Sequence, residues 1–133
     1  MTRINSDLDP ASLKRMHLLA ELREITMVPA ALRRALRTKS TEDVLKGIPD
    51  KFTLGRGHVS FFYNKQRFLM LRFMKLAQEM ERRGYAPDHG RVMAFIGFDA
   101  EFNSDWAATD VDDKIVQDRI DFRISQKPHL YKD

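Results

Sequence analysis

The sequence predicts an all-α protein: a single compact domain of three main helices, with long connecting loops and an N-terminal arm. Three observations support this. Leu69, Phe73, Leu76 and Met80 recur at the spacing of one helix face. Segments with such spacing are bounded by helix start and stop signals. A chain of 133 residues is long enough for one modest core and too short for two ordinary domains, so 1–133 is read as one domain.

The elements follow in order. Asp9-Pro10 reads as a helix start, with Asp as N-cap and Pro in the first turn. A helical pattern then runs to about Arg37, with Leu13, Met16, Ala20, Ile25, Val28 and Leu32 as a core stripe and Pro29 expected to kink or interrupt it. Lys39-Ser40-Thr41 closes that segment. Residues 47–58 carry Gly47, Pro49, Gly55 and Gly57 and read as loop. The clearest helix is expected over 60–83, with Arg72, Lys75, Glu79 and Arg82 on a face away from the core. Arg82 and Arg83 suit its last turn and Gly84 suits the position just beyond. Residues 85–110 read as irregular. A last helix is expected from about Asp110 to Gln126, stopped by Pro128.

Charge is polarised along the chain. Residues 51–83 hold eight basic residues against Glu79 and Glu81, whereas 98–113 hold six acidic residues and no basic one. Such a surface suits a polyanion on one face. An ordinary solvated helix beside an acidic loop accounts for it equally well. The absence of cysteine excludes disulfides, thiolate metal sites and a Cys nucleophile, and fits a cytoplasmic location. No apolar run approaches the ~20 residues of a membrane span, and the first residues lack the apolar stretch of a secretory signal. With no heptad seam, a monomer is expected.

Four constellations carry possible chemistry. Met1 precedes Thr2, whose small side chain permits removal of the initiator. The α-amine then exposed would have a pKa near ~7.7–8.0, low enough to be partly neutral and nucleophilic. His17 and Glu24 lie seven residues apart, two helical turns, and so share a face beside Arg23. A carboxylate near an amine can move protons and stabilise a developing cation. Leu54-Gly55-Arg56-Gly57-His58 permits close backbone approach, but lacks the Gly-Lys-Ser/Thr of a nucleotide loop. Phe61-Phe62-Tyr63 after it suits a core better than a base-stacking platform. Arg119, Arg123 and Lys127 fall at spacings of four, on one helix face suited to phosphates. Residue type alone leaves a bland reading for each: an idle terminus, a charged helix face, a turn and ordinary solvation.

Taken together, these segments resemble the pyrimidine-dimer DNA glycosylases, the phage-type endonuclease V family. The resemblance runs through Met1-Thr2-Arg3-Ile4-Asn5, His17-Leu18-Leu19-Ala20-Glu21-Leu22-Arg23-Glu24 and Val28-Pro29. It resumes at Phe52-Thr53-Leu54-Gly55-Arg56-Gly57-His58-Val59, Phe61-Phe62-Tyr63-Asn64-Lys65 and Arg82-Arg83-Gly84-Tyr85. It ends with Gln117-Asp118-Arg119-Ile120-Asp121, Ser125-Gln126-Lys127-Pro128 and Tyr131-Lys132. Residues 38–48 and 86–112 match poorly.

The resemblance implies a repair enzyme of bacterial or phage origin that acts on double-stranded DNA containing damaged pyrimidines. It implies that the Thr2 amine attacks the sugar C1′ of an ultraviolet-induced cyclobutane dimer, forms an imine, and nicks the strand by β-elimination. Glu24 maps to the catalytic glutamate. Arg3 and Arg23 map to residues that grip DNA, His17 to a histidine beside the site, and Arg119 and Arg123 to cations within it. No metal or cofactor is required. Met16 stands where the family usually has Gln, Met27 where it has an arginine, and Leu130 where tryptophan is common. Two other functions fit the same residues: this chemistry on a different damaged base, or non-catalytic DNA binding. A helical protein-interaction module is a third class, one without DNA affinity.

Overall fold

A computed structural model describes residues 4–132. Among them there are six α-helices and four 3₁₀ turns, with no strand and one isolated antiparallel bridge between Lys65 and Asn103. The all-α expectation holds.

The first expected helix is divided. Asp9 does cap, accepting from the Ala11 amide, but only a 3₁₀ turn, Pro10–Ser12, follows. Leu13 and Lys14 are extended, and α1 begins at Arg15 and runs Arg15–Glu24. After Ile25 and Thr26 the chain re-enters a helix as α2, Met27–Thr38. Pro29 therefore falls in the first turn of α2, where a missing N–H costs no helical hydrogen bond. The interruption lies upstream of the proline. Of the expected stripe, Leu13, Ala20, Ile25, Val28 and Leu32 are buried, while Met16 is 42% exposed. His17 takes the inward position beside it.

Ser40 opens a short α3, Thr41–Lys46, by accepting from the Asp43 amide, with Glu42 and Asp43 favourably placed in its first turn. A loop leads to α4, His58–Phe61. The long helix α5 spans Gln66–Arg82. It starts later than expected because residues 62–65 form tight turns back to Val59, Ser60 and Phe62. Leu69, Phe73, Leu76 and Met80 are all buried, as the spacing required. Arg72 and Glu79, expected on the solvated face, are buried too. Arg72 pairs with Glu21 of α1, and Glu79 with Arg82 and Arg83. At the end of α5 the Gly84 amide bonds the Glu81 carbonyl and the Tyr85 amide bonds the Met80 carbonyl. Gly84 has φ +95°, the left-handed geometry this cap needs.

Residues 85–109 are irregular as expected, but two 3₁₀ segments, His89–Phe95 and Ala100–Phe102, bury Phe95 and Phe102. The last helix, α6, spans Asp110–Gln126 and begins with a reciprocal capping box between Thr109 and Asp112. Pro128 opens a final 3₁₀ turn, Pro128–Leu130.

The N-terminal arm is part of the core. Ile4, Asn5 and Ser6 are buried, and Ile4 joins the main cluster with Leu18, Phe62, Leu69, Phe73, Val116 and Ile120. Asp7 ties this arm to the far end of the chain. Its amide donates to Asp113 at 3.1 Å, and its carboxylate accepts from the Ala108 amide at 2.9 Å.

Candidate functional site

Two helix faces and the arm frame the candidate site. On α1, His17, Glu21 and Glu24 fall at positions i, i+4 and i+7 and form one stripe. Its outward end is graded in exposure: His17 and Glu21 are buried, Glu24 is half-buried, and the adjoining Arg23 is exposed. The C-terminal end of α1 is held by Arg91. Its Nη2 donates to the Arg23 carbonyl at 3.1 Å and to Thr26 Oγ1 at 2.5 Å, placing a cation at the negative end of the helix. Nothing in the local pattern around Arg91 signals this role, because its partners lie more than sixty residues away in sequence.

On α6, Val116 and Ile120 bury against the core, and Arg119 and Arg123 lie on the same side of the helix, half-buried beside them. The Arg119 Nε is shielded from solvent. Lys127, expected on the same face, caps the end of α6 and is exposed.

His17 is where α1 and the C-terminal segment meet. Its imidazole stacks on the Tyr131 ring, with centroids 4.6 Å apart and planes at 15°. Neither ring nitrogen has a hydrogen-bond partner among the described residues. Burial, reinforced by the positive charge of Arg123, holds the His17 pKa below the usual histidine value. The imidazole is therefore neutral at neutral pH, with one donor and one acceptor nitrogen, both shielded from solvent.

The Gly55-Arg56-Gly57-His58 loop packs against the arm. Gly57 has φ +96°, and a side chain there would press on Pro49 at 3.1 Å. His58 Nδ1 lies 2.8 Å from the Thr53 carbonyl and Nε2 lies 3.1 Å from Asn5 Nδ2. Phe61 and Phe62 are core residues, as expected.

Much of the basic charge of 51–83 is engaged within the protein. Arg72, Arg82, Arg83 and Arg67 form ion pairs, and Lys65 donates to the Phe61 carbonyl and Asn64. The acidic 98–113 stretch is similarly occupied by capping, by the Asp7 contact and by the Arg67–Asp105 pair. Among the described residues, no three His, Asp or Glu side chains group as a metal site, and no helix is long and apolar enough to cross a membrane.

The structure thus brings His17 together with Arg123 and places Glu24 on the His17 stripe. Thr2 and Arg3 lie outside the described residues. A family model described as pyrimidine dimer DNA glycosylase matches residues 1–93 of the 133. The chain belongs to this family. Within the match fall Thr2, Arg3, His17, Arg23 and Glu24. Arg119 and Arg123 fall beyond it, and α6 carries them back to the glycosylase core through Val116 and Ile120.

Proposed function

We propose that the protein excises ultraviolet-induced cyclobutane pyrimidine dimers from duplex DNA and then nicks the strand, with the Thr2 α-amine as nucleophile. Membership of the glycosylase family supports the substrate. The observation that carries the chemistry is the anchoring of the chain from Ile4 onward, two residues after Thr2. Ile4, Asn5 and Ser6 are buried, with relative exposures of 1%, 5% and 0%. Two peptide units span at most about 7 Å, so a fixed Ile4 confines the amine to a small volume.

In the proposed reaction the neutral amine attacks C1′ of the damaged nucleotide and displaces the base with the C1′–N bond electrons. As the C1′–O4′ bond opens, O4′ takes up the proton that the amine loses, leaving a protonated imine between Thr2 and the sugar. Removal of a C2′ proton then expels the 3′ phosphate by β-elimination, and hydrolysis of the imine frees the enzyme. Glu24 stabilises the cationic sugar–imine and assists the C2′ proton transfer. Arg3, Arg23, Arg119 and Arg123 contact phosphates, and His17, buried beside Arg123, supports the DNA-binding face. Base extrusion costs less at a distorted lesion. Residues 1–133 act as one unit, since Phe95, Val116 and Ile120 share the core of the first 93 residues.

A second reading is the same amine chemistry on another damaged base. Met16 and Met27, 42% and 45% exposed, favour it by placing thioethers where the resembled family has Gln and Arg. Borohydride trapping tests both readings. Protein confirmed to begin at Thr2 should crosslink to a thymine-dimer duplex and to an abasic-site duplex, and N-terminal acetylation should abolish both. Crosslinking to the abasic duplex alone supports the second reading. No crosslink to either removes the enzymatic reading.

A further inference from the structure

We propose that Asn5 and His58 form a latch that positions the reacting amine, an inference that rests on Thr2 being the nucleophile. A chain terminus frays unless it is tied down, and nucleophilic attack needs the reacting atoms held about 3–3.5 Å apart. Asn5 is three residues from Thr2, within about 11 Å along an extended chain.

The latch has a fixed hydrogen-bond direction. The Thr53 carbonyl can only accept, so the His58 Nδ1 at 2.8 Å must carry a proton. In the neutral imidazole Nε2 is then the acceptor, and the Asn5 Nδ2 at 3.1 Å must donate to it. Both side chains are buried, with relative exposures of 5% and 1%. Phe52 and Phe62 set their rings edge-on to the imidazole at 5.7 and 5.3 Å and restrict its rotation.

Asn5 is also the one non-glycine residue with positive φ among those described, at +37°. Most side chains resist this conformation, and asparagine tolerates it. The bend turns the chain between two buried neighbours, Ile4 and Ser6. A residue serving packing alone at position 58 would need no ring nitrogens. The arrangement instead fixes the rotation of the arm about its own axis, which burial of Ile4 by itself does not. Asn5 and His58 are positioning residues, acting on the amine through the backbone of residues 3 and 4.

The test uses residues 2–133 with a free Thr2 amine, three single variants and the Asn5→Gly, His58→Phe double variant. Asn5→Gly keeps the backbone conformation and removes the amide. His58→Phe keeps the ring packing and removes Nε2. His58→Gln keeps an acceptor. Thermal midpoint, Kd for an abasic-site duplex, and the single-turnover borohydride-trapping rate at saturating DNA are measured for each. The latch predicts a loss in trapping rate on the order of 10²-fold in Asn5→Gly and His58→Phe, as expected for a displacement of about 1 Å, with Kd unchanged. His58→Gln should recover most of the rate. The double variant should be no slower than either single variant, since both break one unit. Wild-type rates in folded Asn5→Gly overturn the latch, as does a rise in Kd together with a fall in thermal midpoint that accounts for the whole loss. If His58→Phe does not fold, Asn5→Gly decides alone. Failure of the unaltered protein to trap overturns the Thr2 reading itself, a distinct outcome.

Discussion

Glu21 of α1 and Arg72 of α5 meet in a two-pronged ion pair, Nε to Oε2 at 2.8 Å and Nη2 to Oε1 at 2.9 Å. Their side chains are 1% and 3% exposed. The remaining arm of the guanidinium donates to the Leu8 carbonyl at 2.5 Å, so one arginine joins two helices and the N-terminal arm. Removing one partner leaves the other charged and dry. Arg72→Ala should therefore cost about 3–5 kcal/mol, whereas an apolar replacement of both partners should cost much less. Urea denaturation of the single and double variants measures this. Equal losses in both would show that the pair contributes only its packing.

Glu24→Gln separates catalysis from recognition. The variant should still bind the dimer duplex and should lose about 10²–10⁴-fold in turnover, the usual range for removing a positioned acid–base group. Gel-shift titration and single-turnover nicking report the two halves. Undiminished nicking would remove Glu24 from the proposed mechanism.

His17 predicts a pH dependence in the folded protein. Its pKa is lowered by burial and by Arg123. Below the ordinary histidine value of 6.5 the unfolded chain binds a proton that the native state resists. By linkage, stability is complete above that value and declines as the pH falls below it. The thermal midpoint should drop from pH 7.5 to pH 5, and His17→Phe, which keeps a ring against Tyr131, should flatten the drop. A profile unchanged by that variant would assign the dependence to other groups.

Glu79 acts in a lower window. Hydrogen bonds from Arg82 and then Arg83 hold its carboxyl at about 2, against a usual 4.5. A depressed carboxylate stabilises above its unfolded value, and that contribution fades as the pH falls from 4.5 toward 2. Arg83 also donates to the Leu13 carbonyl at 2.6 Å, so loss of the pair loosens the entry to α1. Acid titration by circular dichroism should show a shallower decline in this window for Glu79→Gln, from a lower starting stability.

Phosphate contacts should be visible in salt. Each phosphate neutralised contributes about 0.9 to the slope of log K against log salt. Arg23→Ala and Arg123→Ala should each reduce the slope by about that amount on any duplex sequence. A slope unchanged in Arg123→Ala would remove Arg123 from the phosphate contacts.

The legible parts of the chain were those with local causes. The bounds of α6 follow from Asp110 and Pro128, and Gly84 from the cap geometry it completes. The stripe shared by His17 and Glu24 follows from helix period alone. What escaped depended on partners distant in sequence. Arg72 and Glu79 look like surface residues until Glu21, Arg82 and Arg83 are in place, because periodicity cannot distinguish a solvated charge from a paired one. Met16 and His17 exchanged roles because a buried histidine needs a neighbour such as Tyr131, which lies at the other end of the chain. Pro29 is expected to kink or interrupt the helix, and the chain instead breaks upstream at Ile25 and Thr26, leaving the proline in the first turn of α2, where it costs no hydrogen bond. Arg91 sits in a stretch without periodicity, and only the fold reveals that it caps α1.

The two bonds of Asp7 span 106 and 101 residues. During synthesis Asp7 therefore emerges 101 and 106 residues before its partners at Ala108 and Asp113. Such closures are slow, because the entropy of a long loop is lost before any contact rewards it. Until α6 emerges, the core around Ile4 lacks Val116 and Ile120. These ties of the arm thus form only after Ala108 and Asp113 have been made, and the proposed nucleophile would gain that part of its orientation only then.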